Sequence, residues 1–224
     1  MMRRIPIETL QDVLRRTLVA EGFDEERAGR CASIFVENSA VGVSSHGLNR
    51  FPQFVDYVRR GIVKPTAVMR RTIRFGAWEQ WDGCLGPGPL NAYDATRRAI
   101  ALAQQHGIGC VGLQQTNHWM RGGYYGWMAA EAGAALLAWT NTTPNMPPWG
   151  AKACRLGNNP LVLAVPRRSG PLVLDMAMSQ FSYGRLETHF REGIPLPVPG
   201  GYDGEGNLST EAGAILRSQR VLPI

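Results

Sequence analysis

The chain is poor in lysine and cysteine and has no long apolar run. Only Lys64 and Lys152 are lysines among 24 basic residues, so the excess of six positive charges comes from arginine. Those arginines are scattered, often as pairs such as Arg15-Arg16, Arg59-Arg60, Arg70-Arg71, Arg97-Arg98 and Arg167-Arg168, inside amphipathic patterns. A polyanion-binding face needs clustered cations that displace phosphate counterions, so solvated helix faces are the better reading and no nucleic-acid partner is expected. The four cysteines, Cys31, Cys84, Cys110 and Cys154, form no C-x-x-C pair, which argues against a zinc site and a disulfide framework and for reduced packing residues. No apolar run approaches 18 residues, so no membrane span is expected. The start, Met1 to Pro6, turns polar at Glu8 and Gln11 and lacks a secretory signal pattern, which points to a cytoplasmic protein.

What is present suits a globular fold. With 224 residues and 44% hydrophobic content, a compact chain hides roughly 70 to 75 per cent of its unfolded surface. Leu10, Val13, Leu14 and Leu18 recur at helical spacing from Ile7 to Glu21, with Gly22 behind them. Asp24 opens a second helix that ends near Gly42, and a third is expected from Gly47 to Arg60. Beyond Lys64-Pro65 the pattern alternates. It reads as a strand over 68–75, a helix over 91–105, a strand over 109–113, a helix over 123–132, and strands over 135–140, 161–166 and 172–176. After Gly193 the sequence reads as loop, and the end at Ile224 looks abrupt, without a closing element.

Gly107-Ile108-Gly109-Cys110-Val111-Gly112 matches a dinucleotide-binding fingerprint letter for letter. Its setting is wrong, because that fingerprint needs a strand before it and a helix after it, whereas here a helix precedes and a strand overlaps. Gly107 reads instead as the terminal glycine of the preceding helix. Asp203, Glu205 and Asn207 resemble a calcium loop, but Ala214 stands where its closing Glu belongs, so no metal site is expected.

Two constellations could carry chemistry. In Ser44 to Arg50, His46 and Arg50 are four apart, which on a helix places them on one face with Cβ atoms about 6 Å apart. A proton donor beside a fixed cation suits keto-acid reduction, although a capping serine beside a surface histidine would produce the same letters. Asn117-His118-Trp119-Met120-Arg121-Gly122-Gly123 follows a strand and enters a helix, a placement open equally to a ligand site or to core aromatics. The Asn- and Pro-dense loops 140–150 and 157–161 fit turn chemistry as well as a site. Asp175 ends an apolar strand, where burying its carboxylate would require a partner.

Taken together, Ser45-His46-Gly47 with Asn49-Arg50-Phe51-Pro52, Asn117-His118-Trp119 with Arg121-Gly122-Gly123, Pro147 to Lys152, Gly157 with Asn159-Pro160, and Asp175-Met176 with Met178-Ser179 and Phe181 to Gly184 resemble the malate/L-lactate dehydrogenase family of non-Rossmann nicotinamide-dependent oxidoreductases. The likeness runs in order from about Ile7 to Ile224. It implies an α/β fold with a helical substrate-side region, 1–75, followed by a mixed-sheet nicotinamide-binding domain over 76–224 that is incomplete at the C-terminus. It implies reduction of a 2-keto acid by NADH or NADPH in a homodimer. By the same likeness His46 is the proton donor, Ser45, Arg50 and His118 face the substrate, and Pro171, Leu172, Val173, Leu174, Asp175, Met176 and Ala177 contact the dinucleotide. Met178 stands where generic members carry Thr, and Trp119 and Trp149 where they carry smaller residues, which sets the chain apart from malate and lactate enzymes. Family chains continue well beyond Leu222-Pro223, so a truncated product without activity is the rival expectation.

Overall fold

The computed structural model describes residues 4–151 and 153–224. Lys152, the last residue of one family-like motif, lies outside the described residues.

Two compact units share the chain. The first comprises the residues up to Ala135 together with Val165–Leu172, and the second Leu136–Ala164 with Val173–Ile224. The boundary expected near residue 75 falls inside the first unit.

In the first unit, α1 (Ile7–Ala20) and α2 (Glu25–Ala40) are joined through Gly22, whose φ of +92° suits a residue without Cβ. Asp24 caps α2 by accepting the Arg27 N–H at 2.9 Å, and Glu25 and Glu26 complement the positive end of the helix. The helical period then places Ala28, Cys31, Ala32 and Phe35 on the buried side, where Phe35 meets Phe51 and Phe54 at 5.2 Å each. The third helix, α3, is shorter than expected, Phe51–Arg59, because Ser44–His46 form a single 3-10 turn and Gly47 leaves helical geometry at φ −117°, ψ −127°.

A three-stranded sheet follows in the order β1 (Arg70–Phe75), β2 (Trp78–Asp82), β3 (Cys110–Gln114), with β1 antiparallel and β3 parallel to β2, hence a mixed sheet. Strand β2 escaped the sequence reading. Its Trp-Glu-Gln-Trp-Asp alternates without an aliphatic stripe, and its buried residue is a charged one, Glu79. Helix α4 (Gly88–His106) makes the crossover between β2 and β3 and ends at Gly107, φ +80°, so the apparent nucleotide fingerprint is a helix stop followed by a strand. Helix α5 (Gly122–Glu131) completes the unit.

The second unit contains the sheet β4 (Leu136–Trp139), β5 (Leu161–Val165), β6 (Leu172–Met176), in that order, then α6 (Tyr183–Glu192), the small pair β7 (Gly201–Tyr202) and β8 (Leu208–Ser209), and α7 (Ala212–Ser218). The expectation of loop after Gly193 is corrected here. Ala212, Ile215 and Val221 are buried with Leu186 and Leu196, and Gly201 bridges Val221 while Ser179 bridges Pro223. The final residues are therefore pinned by ladder bonds and by Val221, which the proline-rich letters before them hide. All four cysteines are free thiols, but only Cys31 is buried, so packing explains one of them.

Candidate active site

The proton-donor candidate sits on a turn rather than a helix. Two residues near the end of α2 hold that turn: Asn38 Nδ2 donates to the carbonyl of His46 at 2.9 Å, and Ser39 Oγ accepts from the Leu48 N–H at 2.8 Å. Gly47 lies so close to α2 that a Cβ would stand 2.1 Å from Ser39 Oγ and 2.8 Å from the Phe35 carbonyl. That contact breaks the expected helix and makes i,i+4 spacing the wrong reason for pairing His46 with Arg50. Ser45 Oγ lies 3.0 Å from His46 Nδ1, where it helps to fix the ring. Arg50, at the start of α3, donates from Nη1 to Gln53 Oε1 at 2.6 Å, and Gln53 Nε2 donates to the Tyr57 hydroxyl at 3.0 Å.

The second constellation hangs on the loop between β3 and α5. Asn117 Nδ2 donates to the carbonyls of Leu85 at 2.9 Å, Gly86 at 3.1 Å and Ile62 at 3.2 Å, so it is a staple rather than a ligand group. The Tyr125 hydroxyl, fully enclosed, donates toward the carbonyls of Trp119 at 2.6 Å and Pro89 at 3.2 Å. Gly88 opens α4 directly beneath this loop; a Cβ there would be 2.2 Å from the carbonyl oxygens of both Asn117 and His118. Met120 adopts φ +67°, a left-handed conformation that costs a non-glycine residue about 1–3 kcal/mol, and it aims its N–H at His118 Nδ1, 2.9 Å away.

These two loops bring the histidines together, with ring centroids 5.6 Å apart and planes inclined by 32°. His118 is accessible to an incoming molecule, yet enough protein surrounds it that desolvation, then the charges of His46 and Arg50, push its pKa down to about 4. His118 is thus neutral at neutral pH. With Nδ1 accepting from Met120, its proton resides on Nε2.

The remaining candidates separate clearly. Of Pro171 to Ala177, the stretch Leu172–Met176 forms β6 at one edge of its sheet, with Leu172, Leu174 and Asp175 exposed. Asp175 is therefore an exposed residue, contrary to the burial expected from its apolar neighbours. Loops 140–150 and 157–161 bind each other, since Asn159 Oδ1 accepts the Thr142 N–H at 2.9 Å and Asn158 Oδ1 accepts the Thr142 hydroxyl at 2.8 Å. Asp203 accepts three backbone N–H groups, from Glu205, Gly206 and Asn207, which accounts for the calcium-like letters as a turn. Among the described residues no group of three or more His, Cys, Asp or Glu is arranged to hold a metal, and no helix is long and apolar enough to cross a membrane. Asn38 and Ser39 were missed, although they continue the buried period of Ala28, Cys31, Ala32 and Phe35, where a polar residue signals a specific partner.

A mixed-sheet α/β protein with paired imidazoles beside an arginine, and without a glycine-rich nucleotide turn, defines a class of fold distinct from the doubly wound dehydrogenases. Residues 5–224 match the model of the malate/L-lactate dehydrogenase family, and the chain belongs to that family. It is 48% identical over 222 residues, 99% of its length, to the 2,3-diketo-L-gulonate reductase of Escherichia coli O139:H28, of which it spans 66%. Its fold matches malate dehydrogenase from Entamoeba histolytica with a TM-score of 0.95 at 24% identity, covering all of this chain and 64% of that one. Malate dehydrogenase from Pyrococcus horikoshii OT3 matches with a TM-score of 0.89 at 31% identity, covering 99% and 60%. The chain thus spans about two thirds or less of the length of these relatives.

Proposed function

We propose that the chain carries the substrate-side machinery of an NADH- or NADPH-dependent reductase of 2-keto acids, with 2,3-diketo-L-gulonate reduced at C2 to 3-keto-L-gulonate. The observation that carries this reading is the pairing of His46 with His118 beside Arg50. Arg50 would hold the substrate carboxylate, and His118 would donate a hydrogen bond from Nε2. His46 would give its proton to the ketone oxygen as that oxygen gains negative charge. Ser45 keeps the His46 ring oriented, and Asn38 keeps its backbone in place. When bound, the reduced nicotinamide supplies the hydride. The Pro171 to Ala177 segment suits that cofactor, because Leu172 and Leu174, exposed on one face of β6, offer an apolar wall to a flat ring. The reading extends to a cytoplasmic homodimer, for which sedimentation at micromolar concentration is the check.

The test is oxidation of NADH, followed by absorbance, with 2,3-diketo-L-gulonate as acceptor. Turnover that falls about 10²- to 10⁴-fold in His46→Ala with unchanged circular dichroism supports it, and undiminished turnover in that variant refutes it. One observation favours a non-catalytic rival: Leu137, Trp139 and Leu163, which share one face of β4–β5, are exposed in this chain. A folded chain inactive with either nicotinamide would support that rival.

A further inference from the structure

We propose that His118 is a fixed, uncharged Nε2–H donor that reads an oxygen on the carbon next to the reacting carbonyl, so that the site selects 2-oxo acids oxygenated at C3. The inference rests on the reductase reading and deepens it. Its foundation is the Met120 backbone. The Met120 N–H donates to Nδ1 of His118 at 2.9 Å, which assigns the ring proton to Nε2 whatever ligand arrives. No described residue hydrogen-bonds to Nε2. Among the described residues, the charged or titratable groups that act on the ring are His46, from the 3-10 turn, and Arg50, from the start of α3, and both oppose its protonation.

Charge complementarity then divides the substrate. A carboxylate belongs on the permanent cation, Arg50, and the reacting oxygen belongs to the ring that can give up a proton, His46. A neutral donor suits neither task, but it suits an uncharged carbonyl or hydroxyl oxygen. Rings with centroids 5.6 Å apart, each reaching about 2.9 Å to an acceptor, can address oxygens on neighbouring carbons. A ligand lacking the second oxygen would leave the N–H unpaired, the situation in which polar sites discriminate most strongly.

The experiment uses two acids that differ by that one oxygen, 2,3-dihydroxybutanoate and 2-hydroxybutanoate, with binding read by calorimetry on the intact chain. At least about tenfold tighter binding of the first is expected, with the preference erased in His118→Phe and partly kept in His118→Gln, whose amide nitrogen reaches the place of Nε2 and still donates. In parallel, nitrogen-15 spectra of histidine-labelled protein, assigned by the signal missing from His118→Gln, should show the Nε2–H tautomer unchanged from pH 8 to 5.5. A ring that titrates in that range, an Nδ1–H pattern, or a preference that survives both substitutions overturns the proposal. None of these readouts needs turnover. Discrimination without NADH oxidation keeps this role and removes the reductase reading, whereas turnover with no C3 preference removes the role alone.

Discussion

Asn38, fully buried on α2, donates from Nδ2 to the carbonyl of His46 at 2.9 Å while its own Oδ1 has no hydrogen-bond partner among the described residues. A buried unpaired oxygen costs about 1–3 kcal/mol, so the side chain is kept at a loss that its hold on the turn only partly offsets. Asn38→Ala removes the hydrogen bond and the orphan oxygen together. The expected stability change is therefore small, about 1 kcal/mol, while kcat falls about tenfold or more because the His46 turn loosens. Urea midpoints and turnover measured on one preparation check this; a large midpoint shift with unchanged kcat would leave Asn38 a packing residue.

The two imidazoles make different predictions for pH. Reduction consumes the proton that His46 supplies, so kcat/KM should fall as pH rises. His118, with its pKa pushed down to about 4, is already neutral above pH 5 and should add no second inflection between pH 5 and 9. A profile measured with saturating nicotinamide should show one descending limb, absent from the residual activity of His46→Gln. Two limbs would mean that both rings titrate.

Arg50 is held in advance by Gln53, itself held by Tyr57, so its guanidinium loses little freedom on meeting a carboxylate. A hydrogen bond to a charged group is worth about 1.5–3 kcal/mol, which predicts a KM raised about 10- to 150-fold in Arg50→Ala, with a smaller loss in kcat. Gln53→Ala should fall between that variant and the unaltered chain. An unchanged apparent affinity in Arg50→Ala would exclude it as the anchor.

Much of this was legible in the letters, and the failures share a cause. Helices α1, α2 and α4 follow from period, caps and the glycines at 22 and 107, which are local features, and so does the rejection of the nucleotide fingerprint. His46, Arg50 and His118 stood out in the letters as candidates, but the geometry that brings the two rings together did not. Gly47 packs against α2, the His118 loop against Gly88, and Met120 takes a backbone conformation no propensity suggests. These are tertiary contacts between segments tens of residues apart. Strand β2 failed for the same reason, since its inward residue, Glu79, is charged and is excused mainly by arginines brought to it from β1 and α4.

That carboxylate gives a prediction for stability. Glu79 is wholly buried and accepts from Arg98 Nε at 2.8 Å and Nη2 at 2.6 Å, from Trp81 Nε1 at 3.0 Å and from Arg71 Nη1 at 3.1 Å. The Arg98 hydrogen bonds, aided by Trp81 and Arg71, outweigh desolvation and bring its pKa down to about 2. The folded pKa thus lies below the unfolded one, so the stabilisation is fully present above about pH 4.5 and is lost as pH falls toward 2. Each unit of difference corresponds to about 1.4 kcal/mol, and because Arg71 and Arg74 remain half in water the working value is about 2 kcal/mol rather than the full sum. Glu79→Gln should lower the unfolding free energy by that amount at pH 7, and the gap between variant and unaltered chain should narrow between pH 4.5 and 2. Urea denaturation at several pH values decides the matter, because a gap that is constant down to pH 3 would assign the loss to repacking rather than to the charge.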